Sequence, residues 1–183
     1  MTVLFPEKSI VLKNGQTAVL RSPKAEEAEE MLAYLRDVSA ETHFVLREPE
    51  ECTETIEREA AFLEAVNASG GNVMIMCEVD GEIAGNCQLS FMKRAKVRHR
   101  ASVAIALRKK YWNLGIGSAF FREMIAVARE HGIEQMELEF IEGNDRARAL
   151  YEKMGFRIYA EHPDAIRLKD GTMLKEYMML LKL

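Results

Sequence analysis

The amino-acid sequence predicts a mixed α/β domain, built on a largely antiparallel β-sheet that contains one parallel pair of strands. Two turn signals, Asn14-Gly15 and Asp80-Gly81, each separate two apolar runs and indicate β-hairpins. A helical period over residues 115–129 lies between two strand-like runs, which indicates a crossover connection and therefore a parallel pair. The predicted order is two strands, two helices, three strands, a helix, a strand, a helix and two strands, within one domain of residues 1–183.

The N-terminal part of the chain combines the first hairpin with two amphipathic helices. Residues 10–21 form the predicted hairpin, and Ser22-Pro23 is typical of a helix start with Ser22 as the N-cap. We expect Thr53 to cap the second helix, which ends at Ser69-Gly70-Gly71. The apolar positions that repeat at helical spacing, and that we expect to be buried, are Ala28, Met31, Leu32, Leu35 and Val38 in the first helix and Ile56, Ala60, Leu63 and Val66 in the second.

Strands dominate the rest of the prediction, with two further helices between them. The longer helix runs from Gly115 to about Arg129. The shorter one begins at Asn144, its predicted N-cap, and ends at Met154 before Gly155. The predicted strands are Val73–Val79, Ile83 to about Met92, Ala101–Leu107, Ile133–Ile141, Phe156–Ala160, Ile166–Leu168 and Thr172–Leu183.

The composition argues against several classes of protein. The 183 residues are 48% hydrophobic and 30% charged, with a net charge of −4, so there is no basic excess for nucleic-acid binding. No apolar run approaches the ~18 residues of a membrane span. The three cysteines, Cys52, Cys77 and Cys87, lack metal-ligand spacing. We therefore interpret them as reduced core thiols of a cytoplasmic protein and expect no metal site.

The stretch from Leu107 to Ser118, LRKKYWNLGIGS, is typical of an anion-binding loop. It joins a predicted strand to a helix N-terminus, where unpaired backbone N–H groups and the helix dipole attract an anion. Gly115 and Gly117 allow a phosphate to approach the backbone closely. The stretch lacks both the third glycine of a dinucleotide fingerprint and the Gly-Lys-Ser/Thr of a Walker loop. Its ligand is therefore another diphosphate, or the loop is a simple turn.

A second motif follows about thirty residues later, as Asn144-Asp-Arg-Ala-Arg-Ala-Leu-Tyr151-Glu-Lys-Met-Gly-Phe156. On a helix, Ala147, Leu150 and Tyr151 share one face, so Tyr151 is predicted to point toward the sheet. An inward tyrosine of this kind either packs in the core with its hydroxyl bonded or has a chemical role.

Together, the Tyr-Trp-Asn-Leu-Gly-Ile-Gly loop and the motif from Asn144 to Phe156 resemble the GCN5-related N-acetyltransferase (GNAT) superfamily. The resemblance covers the chain from about Val19 to Leu180. It implies a GNAT-type fold with about seven strands and about four helices, whose mostly antiparallel sheet splays between its fourth and fifth strands. It also implies acetyl-CoA, bound in that gap, as the cofactor.

The resemblance assigns roles to individual residues. The backbone of Ile105 to Leu107 would pair with the pantetheine arm, Asn144 would contact the same arm, and Tyr151 would lie near the sulfur as a general acid. Lys153 is a candidate for contact with the adenosine 3′-phosphate, and Lys109 or Lys110 for contact with the pyrophosphate. The expected cofactor-binding residues are Ile105, Ala106, Leu107, Trp112, Asn113, Leu114, Gly115, Ile116, Gly117, Ser118, Asn144, Tyr151 and Lys153.

Three positions depart from the family pattern. Many relatives carry a glutamate where Ser102 stands, and a serine cannot take the proton from an ammonium group of pKa ~10.4. Glu139 is therefore the expected catalytic base, with Glu137, His99 and a water chain as alternatives. The apolar Trp112 stands where relatives often carry arginine or glutamine, and the apolar Leu114 stands where they often carry a basic or amide residue. The backbone N–H groups must therefore hold most of the pyrophosphate charge.

Two functions are compatible with these residues. The first is an acetyl-CoA-dependent N-acetyltransferase that moves an acetyl group to a primary amine, by direct attack in a ternary complex. The acceptor would be a small metabolite, an amino acid or a protein N-terminus, held between the first two helices, the loop around His43–Leu46 and the 93–98 connection. The second is a non-catalytic acyl-CoA-binding module that senses or scaffolds. The apolar run Tyr177–Leu181 suggests a possible homodimer, and neither nucleic acid nor a membrane is an expected partner.

Overall fold

The computed structural model describes residues 4–183, whose strands form one mixed sheet of eight, one more than expected. The strands are β1 (Lys8–Val11), β2 (Thr17–Arg21), β3 (Asn72–Val79), β4 (Glu82–Phe91), β5 (Arg100–Leu107), β6 (Gln135–Ile141), β7 (Arg157–Arg167) and β8 (Met173–Lys182). Their order across the sheet is β1-β2-β3-β4-β5-β6-β8-β7. The four helices are α1 (Ala28–Glu41), α2 (Ile56–Ala68), α3 (Ile116–Glu130) and α4 (Asp145–Lys153). The predicted mixed α/β class is confirmed.

The chain divides into two compact units. The first comprises the chain up to Ser90 together with Ala104–Phe120, and the second comprises Phe91–Val103 and Phe121–Leu183. Strand β5 and helix α3 each contribute residues to both units, so the polypeptide passes between the units within these two elements.

In the first unit, an antiparallel sheet packs against α1 and α2. Both predicted hairpins are confirmed, since β1 pairs with β2 and β3 pairs with β4. Strand β2 also pairs antiparallel with β3. The apolar faces of the two helices and the sheet meet in a core of Met31, Tyr34, Val38, Leu63, Val66, Met74, Met76 and Ile83. Burial of these side chains is the main term that holds the helices on the sheet.

The starts of both N-terminal helices differ from the prediction. Ser22 is not the N-cap of α1, because its hydroxyl accepts a hydrogen bond from the Phe5 backbone N–H at 2.9 Å. A short 3₁₀ turn at Ala25–Glu27 precedes α1 instead. Thr55, rather than Thr53, caps α2 by accepting a bond from the Arg58 N–H at 3.3 Å.

The second unit contains the parallel pair of strands that the sequence predicts. Arg100, Ala101 and Ser102 of β5 lie opposite Gln135, Met136 and Glu137 of β6, as a crossover through α3 requires. Strand β8 pairs antiparallel with β6 on one side and with β7 on the other. Because both of its edges are occupied, the predicted pairing of Tyr177–Leu181 across a homodimer has no free edge to use.

Strand β7 is continuous but irregular. The sequence predicts two separate strands here, whereas the structure has one strand, Arg157–Arg167, with register shifts between Ile158 and Ala160 and between His162 and Ile166. Pro163 and Asp164, whose φ is +52°, lie within the second irregular stretch. The local breaks in pairing explain why the pattern resembles two short strands.

The three cysteines are free thiols and buried, in agreement with their interpretation as core residues. Among the helices of residues 4–183, none has the length and apolar character needed to cross a membrane.

Candidate active site

The loop before α3 presents a row of unbonded backbone N–H groups. The first α-helical hydrogen bond runs from the Ala119 N–H to the Gly115 carbonyl at 3.0 Å. Within the first unit, the N–H groups of residues 113–118 donate to no other group. Asn113 (φ +65°) and Gly115 (φ +100°) adopt left-handed backbone conformations, as in the concave N–H nests that bind anions. The geometry therefore suits a phosphate group.

Trp112 differs from the residues that follow it. Its backbone N–H already donates to the Lys109 carbonyl at 3.1 Å, within the 3₁₀ turn Lys109–Tyr111. Its indole Nε1–H donates to the Leu107 carbonyl at 2.8 Å. Trp112 thus fastens the end of β5 to the loop, and its backbone N–H is not available for the expected pyrophosphate contact.

The basic residues around the loop are not equivalent. Lys110 pairs with Glu82 at 2.5 Å, so much of its charge is already compensated. The Lys109 ammonium lies 5.9 Å from the centre of the Trp112 ring. Lys13, from the β1–β2 turn, donates its backbone N–H to the Leu114 carbonyl at 3.0 Å. Lys13 is therefore a basic residue beside the anion loop that the sequence pattern does not reveal.

A tyrosine hydroxyl is inserted between β4 and the C-terminal half of β5. The bond from the Arg108 N–H to the Ala84 carbonyl, 3.0 Å, sets the antiparallel register and places Asn86 opposite Ala106. The Tyr34 hydroxyl donates to the Ala106 carbonyl at 2.8 Å and accepts the Asn86 N–H at 3.2 Å. Because main-chain groups alternate along a strand, the N–H and carbonyl groups of Ile105 point to the opposite edge of β5 from those of Ala106.

Close approach of β4 to the same part of β5 depends on Gly85. A Cβ atom at Gly85 would lie 2.7 Å from the Ala106 carbonyl oxygen and would also overlap the Leu107 side chain. These are closer than van der Waals contact, so a larger residue would displace the strand that the resemblance assigns to pantetheine.

In the second unit, Tyr151 lies in an aromatic cluster. Helix α4 begins as predicted at Asn144, whose side-chain oxygen accepts the Ala147 N–H at 3.3 Å. The Tyr151 ring is 5.5 Å from that of Phe121 and 6.1 Å from that of Phe140, measured between centroids. Its hydroxyl makes no hydrogen bond within this unit. Burial raises the pKa of Tyr151 to about 12, so the phenol is protonated at neutral pH.

The two glutamates of β6 have different surroundings. Glu137 accepts a hydrogen bond from Arg100 Nε at 2.5 Å, and this contact lowers the pKa of the Glu137 carboxyl. Glu139 is exposed and lies opposite Met178 of β8. Burial and then the charge of Glu139 raise the pKa of Glu176, so these two carboxylates are near neighbours. Glu137 is engaged in an ion pair, whereas Glu139 is accessible to solvent.

A cavity of about 420 Å³ lies in the first unit beside α1 and α2. Like the expected acceptor pocket, it lies beside the first two helices. Arg47 lines it, whereas no residue of the predicted His43–Leu46 stretch does. The lining residues are Met31, Leu35, Arg47, Glu54, Arg58, Glu59, Phe62, Met74, Asn86 and Gln88. The sequence pattern does not single out Glu59, which is buried at 6% exposure while the predicted core residue Ile56 is exposed.

The chain is similar to known acetyltransferases. Residues 29–156 match the model of the acetyltransferase (GNAT) family. The L-amino acid N-acetyltransferase AaaT of Escherichia coli is 29% identical over 107 residues, which are 58% of this chain. That match spans 65% of the length of AaaT.

Two solved structures share the fold over most of their length. A GNAT-family acetyltransferase from Streptococcus pneumoniae is 29% identical, with a TM-score of 0.85 over 91% of this chain and 99% of that one. The yncA protein of Salmonella typhimurium, solved with its cofactor acetyl-CoA, is 18% identical, with a TM-score of 0.77 over 91% of this chain and 94% of that one. Acetyltransferases of this family use acetyl-CoA, in agreement with the cofactor expected from the sequence. The family match covers more than half of the residues, and the chain belongs to the acetyltransferase (GNAT) family.

Proposed function

We propose that residues 1–183 form a single N-acetyltransferase domain, which moves an acetyl group from acetyl-CoA to a primary amine in one ternary complex. The observation that carries this proposal is the row of unbonded N–H groups at residues 113–118, at the N-terminus of α3. A diphosphate is the ligand that such a row suits, because several donors and the helix dipole act on it together. Membership of the GNAT family supports coenzyme A as its source.

We assign further residues to the cofactor's remaining parts. The edge of β5 at Ile105 and Leu107 would bind the pantetheine arm through the backbone, whereas Ala106 between them faces β4 and bonds to Tyr34. Lys13, whose backbone is bonded to Leu114, would add positive charge at the pyrophosphate. In this proposal Asn113, Leu114, Gly115, Ile116, Gly117 and Ser118 provide the N–H donors, with Asn144 on the pantetheine arm and Lys153 at the 3′-phosphate.

Two side chains would handle protons during the transfer. When bound, acetyl-CoA supplies an activated thioester. Tyr151 would donate a proton to the departing sulfur, a role supported by its unbonded hydroxyl and by a pKa of about 12, which keeps the proton in place beforehand. Glu139 would take the proton from the amine. It is better suited than Glu137, which is engaged by Arg100.

An amino acid is the acceptor class that we propose for this site. The name of the E. coli relative, L-amino acid N-acetyltransferase, supports this choice. The cavity beside α1 and α2 is large enough for a small ligand, since such sites commonly enclose ~300–1,000 Å³.

A non-catalytic acyl-CoA-binding module is the second candidate. Ser102 favours it, because a serine replaces the glutamate that many relatives use as the base. A thiol-release assay with a panel of amines and amino acids separates the two functions. We expect turnover with at least one amino acid. Saturable binding of acetyl-CoA in calorimetry, with no thiol release on any amine, would instead support the binding module.

A further inference from the structure

The cavity beside α1 and α2 contains a buried acidic group without a partner. Glu59 is 6% exposed and is the one buried acidic residue in the part of the chain that the structure describes. Its side chain makes no hydrogen bond or ion pair there. Burial, and then the charge of Glu54, raise the pKa of the Glu59 carboxyl, and the charge of Arg47 offsets part of this rise. A buried, unpaired carboxylate is costly, so this position favours the binding of a cationic group.

Glu54 adds a second carboxylate to the wall of the same cavity. It forms an ion pair with Arg47, which engages its Oε1 atom. The Oε2 atom is buried and has no hydrogen-bond partner among residues 4–183. Two carboxylates, of Glu54 and Glu59, and two guanidinium groups, of Arg47 and Arg58, therefore contribute to the cavity wall.

The second positive group of the cavity wall lies near Glu54, because its charge adds to the effect of Arg47 in lowering the pKa of the Glu54 carboxyl. Arg58 lies one residue before Glu59 on α2, is exposed, and makes no hydrogen bond or ion pair within the described residues. A guanidinium in this state can bind a carboxylate through two parallel hydrogen bonds. Because Arg47 and Glu54 pair with each other, the charged groups left to bind a ligand in the cavity are the buried Glu59 and the exposed Arg58.

We propose that this cavity binds the acceptor as a zwitterionic amino acid, with its ammonium group at Glu59 and its carboxylate at Arg58. This inference rests on the proposed acetyltransferase function and assigns its acceptor site. The apolar part of the wall, formed by Met31, Leu35, Phe62 and Met74, would receive the amino-acid side chain.

The charge arrangement disfavours other acceptor classes. A simple alkylamine would satisfy Glu59 but would leave Arg58 without a counter-ion. A neutral ligand would leave Glu59 without a hydrogen-bond partner, which costs free energy on closing the site to water. A zwitterion satisfies both ends, and specificity of this kind depends on the groups that a wrong ligand leaves unpaired.

Two substitutions test the assignment in the full-length protein. We expect Glu59→Gln to raise the KM for the preferred amino acid at least ~10-fold without changing the KM for acetyl-CoA. We expect Arg58→Gln to abolish the preference for an amino acid over its carboxamide. The matched controls are Glu64→Gln on the exposed face of α2 and Arg36→Gln on α1, neither of which lines the cavity.

Stability and direct binding separate a binding role from a structural one. Because Glu59 has no partner in the ligand-free protein, Glu59→Gln should leave the urea midpoint equal or higher. A lower midpoint, or an unchanged KM for the amino acid, would overturn the assignment. Calorimetry of the amino acid with the wild-type protein and CoA measures binding without turnover. If Glu59→Gln loses amino-acid binding, the site is supported even when no thiol release is seen. If the protein acetylates amines but Glu59→Gln binds the amino acid as the wild type does, the site is rejected and the acetyltransferase function stands.

Discussion

The hydroxyl oxygen of Tyr34 lies 2.8 Å from the carbonyl oxygen of Ala106 and occupies the place of a direct backbone bond between β4 and β5. The opposite residue, Asn86, donates its N–H to the same hydroxyl at 3.2 Å. A side chain from α1 therefore holds β5 where the cofactor is proposed to bind. The position of that strand edge depends on the packing of α1 as well as on the sheet.

Tyr34→Phe should lower both stability and cofactor affinity. It removes a hydroxyl that is fully buried and bonded to two main-chain groups, so we expect the free energy of unfolding to fall by about 1–3 kcal/mol. The KM for acetyl-CoA should rise, because β5 can then move toward β4. Urea unfolding and steady-state kinetics measure the two effects. Tyr111→Phe, which removes a bond to the partly exposed Glu82, is the control and should have less effect. Unchanged unfolding in Tyr34→Phe would contradict this view of the strand.

Gly115→Ala should weaken recognition of the pyrophosphate. The φ of +100° at Gly115 is unfavourable for alanine, so the N–H groups before α3 should lose their alignment. We expect the KM for acetyl-CoA to rise by about 10-fold, which corresponds to a loss of ~1.4 kcal/mol in binding free energy. The KM for S-acetylpantetheine, which has no pyrophosphate, should stay the same. Gly132→Ala has a comparable backbone strain, at φ +69°, after the other end of α3, and serves as the control. If Gly115→Ala raises the KM equally for acetyl-CoA and for S-acetylpantetheine, the effect does not come from the phosphate site.

Tyr151→Phe should slow turnover without a large effect on donor binding. Loss of a general acid lowers kcat by about 10²-fold, and the phenyl ring retains the aromatic packing. Because the pKa of Tyr151 is about 12, wild-type kcat should not fall as the pH rises to the ordinary phenol pKa of ~10. A pH profile of kcat measures this, with the exposed Tyr159→Phe as the control. Full activity in Tyr151→Phe would exclude the residue as the acid.

Glu139→Gln should impair activity mainly at neutral pH. Without the proposed base, only the small fraction of neutral amine reacts, so kcat/KM should recover as the pH rises toward the amine pKa of ~10. The pH dependence of kcat/KM for wild type and Glu139→Gln tests this role. If kcat/KM recovers at high pH in Glu59→Gln while Glu139→Gln behaves like the wild type, the proton acceptor is Glu59 in the cavity beside α1 and α2 and not Glu139.

Glu137→Gln should lower stability at neutral pH but not in acid. The hydrogen bond from Arg100 lowers the pKa of Glu137, so the folded state binds fewer protons than the unfolded state near that pKa. The stabilisation is present above the unfolded value of ~4.3 and is lost as the pH falls through the folded pKa. We expect a loss of about 1 kcal/mol at pH 7, since the pair is partly exposed. Urea midpoints at pH 7 and pH 3 measure it, and Glu152→Gln, from an exposed pair with Arg148, is the control. A loss of equal size at both pH values would contradict the linkage.

Local signals were sufficient for much of the fold. The Asn14-Gly15 and Asp80-Gly81 turns identify their hairpins because few other sequences adopt the tight turn between two strands. Asn144 is recognisable as a cap because its side chain bonds the backbone three residues later. In each case the determining contact lies within a few residues of the signal.

The parts that the sequence did not reveal depend on distant contacts. Lys13 lies about a hundred positions before Leu114, and only the folded chain brings their backbones together. The burial of Glu59 follows from the way α2 meets α1 and β3, which rotates Ile56 outward although its hydrophobicity favours the core. Apolar periodicity cannot identify a buried acid, because it assigns polar residues to the solvent face.

The irregular strand β7 has a consequence for self-association of the sheet. It is one of the two outermost strands, and regular outermost strands can recruit other chains into fibrils. Two register shifts interrupt its pairing, and Pro163 removes a backbone donor from its middle. These breaks deprive an incoming chain of a continuous ladder of hydrogen bonds. Strand β7 therefore protects this side of the protein against aggregation.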